Sequence, residues 1–344
     1  MEYESEFDRL VDAAFEREQR QNPEYFASLS QKTKKIIYRD TRYNIDFLYT
    51  AFVLDDEKII QDYALWLYQL MDSVLTDYTA EQSRQYVIRH LEAIRQSIPE
   101  TVSAEKQIKL QKLVECAEEH IAADVNAKNE TKQSQYETEI QEYMARLFQK
   151  NTRKTVQLVR EFSARGIPLS DVYVEILAES MRRIGELWHT AQITVDMEHY
   201  CTSVTQMAMV QMYPELFEGE RKNKTILCAC PGTELHEMGA RMVADLFEND
   251  GWDSIYLGAA VPEDAMIASV EENQPDLIAL SVTMPQHLID CSVLVERLKK
   301  EFPHIPIAVG GHAFDSTNEI WKRWNVDLYT SDARTLLAQA DKIC

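Results

Sequence analysis

Between residues 222 and 344, short apolar runs alternate with stretches whose apolar positions recur every three or four residues. KTILCAC (Lys224–Cys230), DSIYLG, DLIALSV, IPIAVGG and DLYT read as buried strands. A segment from about Gly239, with Met242, Val243, Leu246 and Phe247 on one face, reads as a helix, as do AMIASVEEN, LIDCSVLVERLKKEF, a short piece after the fourth strand, and ARTLLAQADKI. Strand and helix taken in turn predict an α/β doubly wound parallel sheet. In a flavodoxin-like strand order the first and third strands flank the switch point, where open sheets of this kind bind ligands.

The pattern changes before residue 222. Residues 134–217 carry helical periodicity, interrupted at RGIPLSD (Arg165–Asp171) and at HTAQITVD (His189–Asp196), and NT at 151 and 152 divides the first long segment. A four-helix bundle follows, with Gly166 as a C-cap and Ser170 or Asp171 capping the next helix. GERKNK (Gly219–Lys224) is a short polar link to the sheet. Residues 1–133 read as an additional all-α N-terminal region, bounded by DVNAKNETKQSQ and rich in aromatics at YNIDFLYTAFVL and DYALWLYQLMDSVL. Three domains are expected, over 1–133, 134–217 and 222–344.

Charge narrows the partners. The net charge is −21, and neither half hides a basic face: residues 1–135 hold 17 Lys+Arg against 25 Asp+Glu, and the remainder 19 against 32. Such a surface repels nucleic acid and anionic membranes. Lys32–Lys35 with Arg39 and Arg42 is the one basic cluster, expected to form a solvated helix face or to pair with carboxylates. No apolar run is long enough to span a bilayer and MEYESEFDRL is unlike a signal peptide, so a cytoplasmic protein is expected. The six cysteines show no CxxC spacing. Cys228 and Cys230 share a strand face, read as buried thiols ahead of a metal pair.

Chemistry gathers at the strand ends. PGTELHEMG puts His236 on the loop after the first strand, two residues from Glu234, which can hydrogen-bond one ring nitrogen and fix the tautomer. One histidine cannot hold a bare metal ion, but it can ligate a metal already carried by a macrocycle. A loop histidine facing solvent is the commoner use of such a residue. Gly239 would let the first helical turn approach a bulky ligand.

Glu234-x-His236-x-x-Gly239 after the first strand, Ser281-Val282-Thr283 after the third and Gly310-Gly311 after the fourth together resemble the cobalamin-binding domain of corrinoid enzymes and carriers, over residues 222–344. The resemblance implies His236 as the lower ligand to cobalt, Glu234 as its carboxylate partner in place of the usual aspartate, and Ser281, Thr283, Gly310 and Gly311 along the channel for the displaced nucleotide tail. ELWHTAQITVDMEH resembles the bundle that covers the cofactor's upper face in that family. Trp188, followed after nine residues by Glu198-His199, is similar to the light-sensing cobalamin photoreceptors, where the tryptophan packs on the 5′-deoxyadenosyl group. An indole suits a nucleoside, and Glu198 and His199 can hydrogen-bond a ribose or base; a core tryptophan beside a solvated face is the plainer reading. His189 is, by the same resemblance, an upper ligand after loss of the alkyl group. Ala191 stands where relatives often have glycine.

Two functions follow from the resemblance. One is an adenosylcobalamin-dependent light sensor, not an enzyme, whose bundle repacks on photolysis. The alternative is a corrinoid methyl carrier serving a methyltransferase. The N-terminal region resembles that of photocobilins, which implies a linear tetrapyrrole such as biliverdin as second chromophore, with Tyr43, Phe47, Tyr49, Phe52, Tyr63, Trp66 and Tyr68 as candidate lining or simply core. Output is expected through a homo-oligomer or a protein partner at the N-terminal helices.

Overall fold

A computed structural model of the chain describes residues 2–123, 134–217 and 220–344. Most of the expected boundary stretch DVNAKNETKQSQ, and Gly219 of the expected link, lie outside these residues. The chain divides into two compact units, residues 1–128 with 316–320, and 129–315 with 321–344.

The first unit is helical among its described residues 2–123: Glu2–Gln21, Pro23–Ser28, Gln31–Leu54, Lys58–Val74, Ala80–Thr101 and Ala104–Ala122. Leu10, Ile45, Leu48, Ile59, Leu91 and Ile94 are fully buried in it. Thr79 and Gln82 close a reciprocal capping box at the start of Ala80–Thr101. Of the seven aromatic residues read as candidate lining or simply core, Phe47, Tyr63 and Trp66 form one continuous stack, the last pair at 5.9 Å. Phe47 stacks on Tyr63 in the core at 3.7 Å, Tyr49 meets Phe7 edge-on, Phe52 lies under Lys109, Tyr68 under Arg84, and Tyr43 and Trp66 are exposed. In the basic cluster, Arg42 pairs with Asp8 at 2.7 Å and Arg39 with Asp40 at 3.5 Å.

In the second unit the bundle comprises Glu137–Phe148, Thr152–Ala164, a long helix over 169–189 and Val195–Val210. Within the long helix, Val172–Ala178 is π-helical. Gly166, at φ +84°, ends the second helix as expected. The next helix is capped differently: Pro168 is its N-cap and Leu169 its first residue, so Ser170 and Asp171 lie inside the first turn. Asp171 is drawn elsewhere, accepting from Tyr136 Oη at 2.6 Å and pairing with Arg334 at 2.9 Å.

The sheet has five parallel strands, β1 (Thr225–Pro231), β2 (Asp253–Val261), β3 (Leu277–Ser281), β4 (Ile307–Gly310) and β5 (Leu328–Thr330), in the order β2-β1-β3-β4-β5. This is the flavodoxin-like arrangement, with the switch point between β1 and β3. Ile226 and Cys228 face a core with Phe247, Trp252, Leu336 and Ala340, so the intervening Leu227 and Ala229 face the opposite layer. Both Cys228 and Cys230 are fully buried, and burial pushes the Cys230 thiol up to about 12.

Bundle and sheet form one unit because the helix Met238–Asn249 serves both cores. Met242 and Leu246 belong to the bundle's apolar cluster while Phe247 packs on the sheet. Polar contacts reinforce the seam: Tyr173 Oη donates to Asp245 at 3.0 Å, Arg241 donates to Tyr213 Oη at 2.6 Å, and Arg334 engages Asp171 and Glu175. The link is pinned where described, through Arg221 to Glu248 at 2.6 Å and Lys222 to Asp341 at 2.9 Å.

The turn after Trp188 shows what the sequence departure at Ala191 means. Ala191 N–H donates to the Trp188 carbonyl at 2.9 Å and Gln192 N–H to that of Leu187 at 2.8 Å, with Ala191 at φ +55°. This is a Schellman motif with alanine in the left-handed position that glycine fills without strain. Ala191→Gly should therefore stabilise the unit by about 0.5–1 kcal/mol, the strain relieved less the entropy glycine adds to the unfolded chain; a lowered denaturation midpoint in urea would contradict this.

Candidate functional site

The loop after β1 is fixed from two sides before any side chain is considered. A bulge in the β1–β2 pairing brings the end of β2 against it, where Gly232 N–H donates to the Val261 carbonyl at 3.1 Å and Ala260 N–H to that of Glu234 at 2.9 Å. Bulges commonly re-aim functional side chains in this way.

Glu234, at the centre of the loop, has no solvent exposure. Its Oε1 accepts from the His236 backbone N–H at 2.8 Å and meets His236 Nδ1 at 2.6 Å. Its Oε2 accepts from the backbone N–H groups of Thr283 and Met284, both at 2.8 Å. Burial opposes ionisation, but the His236 ring, the His236 amide and the Met284 and Thr283 amides outweigh it and hold the carboxyl down to about 2. The ionised acid in turn raises the His236 pKa through that hydrogen bond, against desolvation, with Glu198 adding to the effect. With Nδ1–H directed at Glu234, Nε2 is the ring nitrogen left to coordinate, on a side chain 56% exposed.

The other strand-end residues lie alongside. Ser281 is the register partner of Gly310, and a Cβ added at Gly239 would sit 3.7 Å from Ser281 Oγ, an ordinary contact. The chain itself therefore does not require glycine at 239. It does require it at the end of β4: a Cβ on Gly310 would fall 2.7 Å from the Thr330 carbonyl oxygen, and Gly311, at φ +102°, would place one 2.3 Å from that of Val282. Thr283 takes part through its amide, which was not legible in its side chain. His236, Gly239, Ser281, Thr283, Gly310 and Gly311 thus share the carboxyl edge of β1, β3 and β4.

The bundle candidates occupy a single turn and the helices on either side of it. Trp188 and His189, both half-buried, end the helix Glu179–His189. Glu198 ends the first turn of Val195–Val210 and His199 follows it; Glu198 Oε2 meets His199 Nδ1 at 2.7 Å and Oε1 accepts from Thr202 Oγ1 at 2.8 Å. Glu198 is the bundle group whose charge bears on the His236 ring. Glu237 was missed from the sequence: it accepts from Gln206 of the bundle at 3.1 Å and from Tyr256 of β2 at 2.9 Å, tying bundle to sheet beside His236. Gly258 inside β2 was the available signal for the bulge.

Among the described residues no group of three His, Cys, Asp or Glu side chains could hold a metal ion. A lone, oriented imidazole beside a glycine-lined strand edge suits a metal carried by its own macrocycle. Family models described as B12 binding domain match residues 224–333 and 139–212, the sheet and the bundle. This is a cobalamin-binding protein. The chain is similar to the HTH-type transcriptional repressor CarH of Myxococcus xanthus, 26% identical over 48% of this chain and 55% of the repressor. It is also similar to the monomethylamine corrinoid protein 2 of Methanosarcina acetivorans, 26% identical over 44% of this chain and 72% of that protein. The chain thus spans little more than half of the repressor's length. The solved monomethylamine corrinoid protein of Methanosarcina barkeri shares the fold, with a TM-score of 0.55 at 18% identity over 61% of this chain and all of that one. Among the described residues no helix is long and apolar enough to cross a membrane.

Two buried carboxylates give the cobalamin-binding unit opposite pH responses. Glu234 is depressed from 4.5, so its contribution to stability is complete above that value and is lost as pH falls toward 2. Asp245 is raised from 3.8 to about 6 by burial, so its ionisation weakens the fold as pH rises from 4 to 6. Asp245→Asn should flatten the decline between pH 4 and 6. Glu234→Gln, which turns an amide donor toward backbone N–H groups, should cost about 2–3 kcal/mol at pH 7. Urea midpoints measured across pH 3–8 check both, and parallel curves for all three proteins would refute the assignment.

Proposed function

We propose that this protein is a cytoplasmic light sensor that takes adenosylcobalamin between the bundle and the carboxyl edge of the sheet. His236 Nε2 serves as lower ligand to cobalt, with its tautomer set by Glu234. Ser281, Thr283, Gly310 and Gly311 line the channel for the nucleotide tail, and Gly239 gives the corrin room at the first helical turn. Trp188 covers the adenosyl group, Glu198 and His199 hydrogen-bond its ribose or base, and His189 stands by as an upper ligand once that group is gone. The observation that carries the reading is the carboxylate clamp, since a buried anion with three amides and an imidazole N–H on it leaves one ring nitrogen to coordinate. When bound, the cofactor supplies a cobalt–carbon bond that light can break.

The chain's own part is to hold two packings of the bundle on the sheet and to shift between them. The seam through Tyr173, Asp245, Gln206 and Glu237 is the surface on which such a shift acts. Output through the N-terminal helices, to a homo-oligomer or a protein partner and without DNA contact, accords with the acidic charge of both halves. A linear tetrapyrrole has no comparable support, since the seven aromatic residues considered for it are engaged in ring and cation contacts of their own unit or are exposed.

A methyl-carrying corrinoid protein is the second reading. It is favoured by coverage, as the chain spans 72% of a monomethylamine corrinoid protein against 55% of the repressor.

Three measurements decide. His236→Ala should shift the bound-cobalamin absorption spectrum toward a base-on or water-ligated form and weaken binding; an unchanged spectrum removes His236 as ligand. Trp188→Ala should lower affinity for adenosylcobalamin about tenfold to a hundredfold, from roughly 1–3 kcal/mol of stacking and burial, while sparing methylcobalamin. Equal losses support the carrier. Illumination of the adenosylcobalamin complex should change both its spectrum and its elution volume, with no binding of duplex DNA at low salt.

A further inference from the structure

The helical unit of residues 1–128 contains buried chemistry that cobalamin binding does not use. Tyr63 Oη donates to Asn44 Oδ1 at 2.6 Å, Asn44 Nδ2 meets His90 Nε2 at 2.7 Å, and His90 Nδ1 meets Glu18 Oε2 at 3.0 Å. All four residues are buried. The direction of the chain follows from the first bond. Because Asn44 Oδ1 takes the tyrosine proton, its Nδ2 is the donor toward His90, so Nε2 accepts and Nδ1 carries the single ring proton. Glu18 Oε2 is then the acceptor at the end of the chain.

Glu18 is 7% exposed, and among the described residues its side chain has one partner, the His90 imidazole. Its second oxygen, Oε1, takes no hydrogen bond from the described residues. A buried anion without a countercharge is costly. Glu18 also lines a half-open groove of about 440 Å3 that it shares with Tyr25, Tyr78 and Tyr86, with Arg89 and Glu92, and with the amides Gln21, Asn22 and Gln96. Arg89 forms no ion pair with Glu18 within 4.0 Å. Burial raises the pKa of Tyr25 and Tyr86, so these walls stay neutral rings. Rings around a carboxylate form the environment that receives an alkylated or arylated ammonium group. No three-ligand metal cluster occurs among the described residues, and two carboxylates disfavour an anionic guest.

We propose that this groove binds a small organic ammonium ion, with Glu18 as its countercharge and Tyr25, Tyr78 and Tyr86 as its aromatic walls. The His90–Asn44–Tyr63 chain is the positioning element that holds the Glu18 carboxylate in place.

Calorimetric titration of the full chain with 2-phenylethylammonium and tetramethylammonium tests this, with 2-phenylethanol and phenylacetate as neutral and anionic controls. Both ammonium probes should bind, the alcohol at least tenfold more weakly than the amine, and phenylacetate not at all. Glu18→Gln should reduce ammonium affinity at least tenfold. Tyr25→Ala, at the exposed rim, should reduce it at least threefold with an unchanged melting temperature, which separates a lost wall from a lost fold. Absence of ammonium binding to the unaltered protein, phenylacetate or alcohol binding as tight as the amine, or full affinity in Tyr25→Ala would overturn the proposal.

Discussion

A carboxylate removed from water must have its lone pairs filled, and Glu234 meets that demand with one imidazole N–H and three backbone N–H groups. The two loops that supply these donors follow β1 and β3. The acid therefore acts as a strut across the switch point, and the position of His236 is a consequence of it. The longer reach of glutamate over aspartate suits the span, since one oxygen serves its own loop and the other serves the neighbouring loop. The backbone carbonyl of Glu234 meanwhile accepts from β2, so three strands converge on one residue.

Asp245 shows that burial alone does not decide the charge state. It is 7% exposed and receives a hydroxyl from Tyr173, with Arg241 nearby, but it lacks the row of amide donors that Glu234 has. Desolvation then prevails and its pKa rises instead of falling. The two acids lie in one compact unit and differ in donor count. One fastens the loop that carries His236, while the other leaves the bundle seam responsive to protons.

Much of this was legible in the chain. Short apolar runs and period-3.6 patterns marked the strands and helices of residues 222–344, and Gly166 announced its helix end by residue type. The pairing of Glu234 with His236 could be read because the two lie two residues apart. What could not be read depends on contacts between distant segments. Asp171 was expected as a cap, but Tyr136 and Arg334, far away in sequence, claim its oxygens. Thr283 acts through an amide that every residue but proline possesses, so its side chain carried no signal. Glu237 joins a helix of the bundle to a strand of the sheet, and only the packing of the two reveals it.

The π-helical stretch Val172–Ala178 carries a mechanical consequence. Its hydrogen bonds skip one residue more than those of an α-helix, so the helix over 169–189 stores one residue of winding in its middle. If that stretch tightened to α geometry, the surplus residue would pass toward one end and turn everything beyond it by about 100° about the helix axis. Tyr173, the second residue of this stretch, anchors its start through the hydrogen bond to Asp245, and Trp188 and His189 lie beyond its end. A local change in hydrogen-bond pitch would thus become a rotation of those two side chains, as in a screw with one end clamped.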